Sequence, residues 1–134
     1  MNTTKDEITF LTMEYLQKFC IDVSSMGYDY LKRAVELCYE DENLINKITT
    51  KLYHLIGEEF DVTNLNVERA IRNVIDKAYK EGGMLEINEF FNAIVYKNEE
   101  KFSNAEFIAI IVKLIKFQLM KEKIYEKYKI KVSF

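Results

Sequence analysis

The sequence predicts an all-α protein, a compact six-helix domain spanning residues 1–134. Three observations carry that expectation. Proline is absent and glycine occurs only four times, so nothing interrupts long helical runs. No Asn-Gly or Asp-Gly pair offers a tight hairpin turn. The apolar residues, 49% of the chain, recur at helical spacing in stretches rich in Leu, Ile, Lys and Glu.

Six segments follow in order. "EITFLTMEYLQKFC" is the first, and "GYDYLKRAVELCYED" is the second, with Tyr30, Leu31, Ala34, Val35, Leu37 and Cys38 as a wide stripe. "ENLINKITTKLYHLIGEEF" reads as one continuous third helix, with Leu44, Ile45, Ile48, Leu52, Leu55 and Ile56 on one face. The fourth opens after Thr63, a natural N-cap, and runs to the Gly82-Gly83 break, where a positive φ costs little. "INEFFNAIVYK" is a short fifth helix. "NAEFIAIIVKLIKFQLMKEKIYEKYK" is a long sixth, opened by Ser103 or Asn104, with Glu106 placed for a capping box. No linker, repeat or low-complexity tract divides the chain.

Composition excludes several classes. An apolar half and 13% aromatic residues rule out disorder. "MNTTKDEITF" lacks the basic and apolar regions of a signal peptide. Lys113 and Lys116 interrupt the most apolar run, "FIAIIVKLIKF", well short of a membrane span. The expectation is a soluble, cytoplasmic protein in which Cys20 and Cys38, both inside apolar helical patterns, are free buried thiols. Catalytic constellations are missing. His54, the single histidine, has no metal-binding or triad pattern around it and reads as a surface residue. The neighbouring acids Glu58-Glu59 and Glu99-Glu100 point about 100° apart on a helix and form no facing dyad. No enzyme, metal or cofactor is expected.

The net charge is −3, but the charges are unevenly laid out. Residues 1–60 hold six Lys/Arg against eleven Asp/Glu, whereas residues 113–134 hold seven lysines against two glutamates. Such asymmetry orients a molecule near a polyanion, although it is also what a solvated helix end looks like.

The third and fourth segments are the informative pair. A helix ending at Phe60, the turn "DVT" and a second amphipathic helix match a helix-turn-helix over about residues 44–81. In the second of these helices Val67, Ala70, Ile71, Val74, Ile75 and Ala78 form the buried face. Leu65, Arg69, Arg72, Asn73 and Asp76 fall on the outer face, with Asn66 and Glu68 at its margins. A reading helix sets its first turns against base edges. Arginine suits guanine, asparagine suits adenine, a glutamate can accept from cytosine N4, and a leucine can touch a thymine methyl. Leu65, Asn66, Glu68, Arg69, Arg72 and Asn73 are therefore the candidate readers of double-stranded DNA.

Four stretches, "GYDYLKRAVELCYED", "LINKITTKLYHLIGEEF", "VERAIR" and "NAEFIAIIV", strongly resemble the C-terminal DNA-binding effector domain of the sporulation-initiation master response regulator of Bacilli and Clostridia. Residues 20 to 112 lie against that pattern without a gap. The resemblance implies a transcription regulator that binds short sporulation-box sites, often as tandem or dimeric units. It places Glu68, Arg69 and Arg72 at base-reading positions and Lys101, Ser103 and Asn104 in a loop that approaches the phosphates. It also implies a contact with the RNA polymerase sigma factor through Ile87, Asn88, Glu89 and Phe91.

The departures from the family pattern are specific. Leu65-Asn66 stands where the family usually has Ser-Arg, and Asn73 where it has His. Glu58 or Glu59, and Glu99, replace frequent lysines. Each lost lysine weakens attraction to phosphate, and a lost base contact costs about 1–3 kcal/mol. The lysine-rich extension of about residues 113–131 runs beyond where the family's domain stops and offsets part of that loss. The family's N-terminal receiver domain has no counterpart here, which makes a stand-alone effector the expectation. The alternative is a paralogue impaired in DNA binding that acts as a protein-interaction module or antagonist of the full-length regulator or polymerase.

Overall fold

The computed structural model describes residues 3–91 and 101–128. Six α-helices form among them: α1 (Lys5–Lys18), α2 (Met26–Glu40), α3 (Tyr53–Phe60), α4 (Asn64–Lys80), α5 (Glu86–Phe91) and α6 (Asn104–Tyr128). The all-α expectation holds. Residues 92–97 of the expected fifth helix, and 129–131 of the lysine-rich extension, lie outside the described residues.

Helix ends follow side-chain chemistry. Thr4 and Ser25 cap α1 and α2 by accepting the N–H groups of Glu7 and Tyr28, each at 3.1 Å. Those caps start both helices a residue or two earlier than the apolar pattern suggests. The capping box at α6 is complete. Ser103 Oγ accepts from the Glu106 N–H at 3.1 Å, and Glu106 Oε1 accepts from the Ser103 N–H at 3.0 Å.

Two expectations need correction. The third segment is not one helix: it runs as a 3-10 stretch (Glu42–Lys47), a π-helical turn (Ile48–Leu52) and only then α3. Asp41 accepts the Asn43 N–H and starts the tighter turn, while Leu44, Ile48, Leu52 and Ile56 still reach the core. Cys20, expected to be buried, is exposed, because the chain leaves α1 there through a left-handed turn with φ 64°. Cys38 is buried, and neither cysteine is in a disulfide.

Helix α2 is the centre of the core. It packs on α4, α6 and α1, with Leu31, Ala34, Val35 and Cys38 fully buried. Its approach to α4 is close enough to require Gly27. A Cβ there would stand 2.3 Å from the Ala70 carbonyl oxygen and 2.7 Å from a Val74 methyl. The long helix α6 closes the core with Phe107, Ile108, Ile111, Val112 and Ile115. Its Lys116 pairs with Glu42 of the 3-10 stretch.

Candidate nucleic-acid interface

The turn between α3 and α4 is built from three residues with distinct tasks. Asp61 takes the left-handed conformation at φ 56°, which Asp tolerates better than most residues. The Gly57 carbonyl then accepts the N–H groups of Asp61 and of Val62, the latter at 2.9 Å. Gly57 must be glycine, since a Cβ would lie 2.6 Å from the Val62 oxygen. Thr63 completes the turn, its Oγ1 accepting the Asn66 N–H at 3.1 Å.

Helix α4 buries Val67, Ile71, Val74, Ile75 and Ala78, with Ala70 half-buried. Leu65, Asn66, Arg69, Arg72 and Asn73 all project into solvent, and Leu65 is 53% exposed despite being apolar. Glu68 is half-buried beside them. Arg72 is the i+4 partner of both Glu68 on one side and Asp76 on the other, and it bonds Glu68 at 2.9 Å. Asp76 instead faces Lys101, at 3.9 Å. Among the described residues Arg69 has neither an ion pair nor a side-chain hydrogen bond.

The start of α6 meets this face. One cleft is lined by Tyr53 of α3, by Glu68, Arg72 and Asp76 of α4, and by Lys101, Ser103 and Asn104. Asn104 joins the three elements, its Nδ2 donating to the Tyr53 hydroxyl at 2.9 Å and to the Glu68 main-chain carbonyl at 3.2 Å. Burial pushes the Tyr53 hydroxyl pKa up, partly countered by that bond from Asn104. Lys101 also lies over the Tyr79 ring, 5.7 Å from its centroid. Of the candidate DNA residues, Glu68 and Arg72 of α4 thus share one cleft with Lys101, Ser103 and Asn104, while Leu65, Asn66, Arg69 and Asn73 lie outside it.

Residues 12–115 match the family described as "Sporulation initiation factor Spo0A C terminal". The chain belongs to that family. It is accordingly a DNA-binding effector domain of sporulation regulation, in a family of regulators and not of enzymes.

Within this Spo0A C-terminal domain, the two acids at the end of α3 are both partnered. Glu59 takes a forked contact from Arg33 of α2, with Nε to Oε2 at 2.8 Å and Nη2 to Oε1 at 2.9 Å. This hydrogen bond raises the Arg33 pKa above its ordinary value, chiefly through Glu59. Glu58 meets His54 at 2.8 Å, and His54 is a surface residue. Sequence reasoning missed both Tyr53 and Arg33. A hydroxyl on a buried aromatic is a signal for the first. Arg33, far away in sequence, gives none.

Helix α5 offers a mixed surface. Glu89 is exposed and Asn88 half-buried, but Ile87 is fully buried and faces the core, unable to touch an outside partner. The Phe91 side chain and Glu99 lie outside the described residues. No helix among the described residues is long and apolar enough to cross a membrane.

Proposed function

We propose that this chain is a sequence-specific transcription regulator acting on sporulation-box-like DNA in the cytoplasm, as a single domain whose α3, turn and α4 work as a helix-turn-helix. The outward row of α4 carries the reading, above all Arg69, which is paired with no carboxylate among the described residues. Arg69 and Arg72 pair with guanines, Asn66 and Asn73 with adenines, Glu68 accepts from a cytosine, and Leu65 touches a thymine methyl. Lys101 and Ser103 approach the phosphates. Asn104, whose amide is engaged inward, contributes its main-chain N–H from the first turn of α6.

Two copies occupy adjacent sites as a dimer or tandem pair. The polymerase sigma factor meets α5 through Glu89, Asn88 and Phe91, with Ile87 anchoring that helix from below.

The test is a binding titration with a duplex carrying a sporulation-type box against a scrambled duplex, across a salt series. The expected result is preference for the box. Arg69→Ala and Arg72→Ala should each reduce that preference by about 1–3 kcal/mol. Lys101→Ala should weaken both duplexes alike and lower the salt slope by about one. Equal affinity for the two duplexes, or no binding at low salt, would overturn the proposal.

A further inference from the structure

Helix α6 is apolar on two opposite sides. Up to Leu119 its inner side lies in the core. On the outer side Phe117, Met120, Ile124 and Tyr128 are 59%, 60%, 47% and 64% exposed. At 3.6 residues per turn these four fall within an arc of about 80° and run along the helix for about 16 Å. Phe117, Met120, Lys121, Ile124 and Tyr125 line a shallow groove there. The whole stripe lies beyond residue 115, where the family match ends, so the DNA-binding fold does not account for it.

The charges that α6 itself sets beside the stripe are, among the described residues, all of one sign. Lys113, Lys121 and Lys127 sit within about 60° of its axis, and none has a carboxylate partner among the described residues. Lys121 and Lys127 instead lie over the rings of Tyr125 and Tyr128, 5.6 and 5.5 Å from their centroids. The acids of this segment, Glu122 and Glu126, are about 160° away.

We infer that this stripe is a docking face for an acidic amphipathic helix of a partner protein. Such a helix would present apolar residues at i, i+3, i+7 and i+11, flanked by Asp or Glu. The lysine border selects this occupant over two others. A second copy would set Lys113, Lys121 and Lys127 against the same lysines, with Glu122 and Glu126 turned to the far side of the helix. An anionic lipid surface is disfavoured because four side chains along one face of a helix whose other side is packed in the core give it little to hold.

The probe is a fluorescein-labelled synthetic helical peptide of roughly 18 residues, long enough to hold helix. One version carries Glu beside the apolar stripe and the other carries Lys. The full chain should bind the Glu peptide about tenfold or more tightly than the Lys peptide. Phe117→Ser with Ile124→Ser should reduce binding of the Glu peptide about tenfold or more and leave DNA binding unchanged. Lys113→Glu with Lys121→Glu and Lys127→Glu should reverse the preference between peptides. Equal binding of both peptides, or indifference to the Phe117 and Ile124 changes, would overturn the inference. So would concentration-dependent dimers lost with Phe117→Ser and Ile124→Ser in sedimentation, or stripe-dependent binding to phosphatidylglycerol vesicles with no peptide preference. Because the peptide assay contains no DNA, its failure is separable from failure of DNA binding.

Discussion

Tyr53 carries its hydroxyl into a packed interface, and Asn104 is the residue that satisfies it while also holding the Glu68 carbonyl. Asn104→Ala should cost about 1 kcal/mol of stability, read from urea unfolding, since it strands a part-buried hydroxyl. It should also weaken box binding without changing which base is preferred, because it loosens the helix and leaves the proposed readers intact. The cysteines give a sharper contrast. Burial, helped by Asp41, pushes the Cys38 thiol up to about 12. At pH 8 a thiol reagent should modify Cys20 within minutes and reach Cys38 only on unfolding. The sequence was a poor guide to this difference. Cys20 and Cys38 both sit in apolar patterns, and the left-handed turn that expels Cys20 is decided by where α1 ends. The outer row of α4 was legible by contrast, because a buried face of strict period fixes which residues remain outside.

Among the elements, the approach of α2 to α4 tolerates nothing larger than hydrogen at residue 27. Gly27→Ala should destabilise the fold by about 1–3 kcal/mol, measured as a lower urea midpoint, despite alanine's better helix propensity. Near that approach the loop before α2 is tied to α4 by Asp22 and Lys77, 2.9 Å apart. Hydrogen bonds from the Ser24 hydroxyl, then from Lys77, hold the Asp22 carboxyl well below the usual carboxylate range. A depressed carboxyl stabilises the fold above its unfolded value of about 3.9 and loses that contribution as pH falls toward the folded value. The parent should therefore lose more stability than Asp22→Asn between pH 5 and about 2.5 in parallel urea titrations. The third segment shows why element type was less legible than element position. Apolar spacing reports which residues are buried, and Leu44, Ile48, Leu52 and Ile56 are. The hydrogen-bond register that makes Glu42–Lys47 a 3-10 stretch and Ile48–Leu52 a π turn leaves the same residues inside.

At the scale of the whole molecule, charge placement matters more than the total of −3. Glu58 and Glu59 read in sequence as repulsive toward phosphate, yet Glu59 is matched by the Arg33 guanidinium, while Glu58 contacts the His54 imidazole. Arg33→Ala should leave Glu59 unopposed and weaken binding to any duplex, by less than about 1 kcal/mol near physiological salt and more at low salt. A fluorescence titration at two ionic strengths checks this. That compensation spans two helices far apart in the chain, so no local pattern discloses it. The bridge from Asn104 to Glu68 has a mechanical consequence as well. It ties the row of proposed readers on α4 to the first turn of α6, so the span between the two is held like the jaws of a caliper. If these residues read DNA as proposed, a duplex is gauged by width before its bases are tested. One whose groove is too narrow or too wide must bend to fit, and the bending energy falls on the DNA and not on the protein.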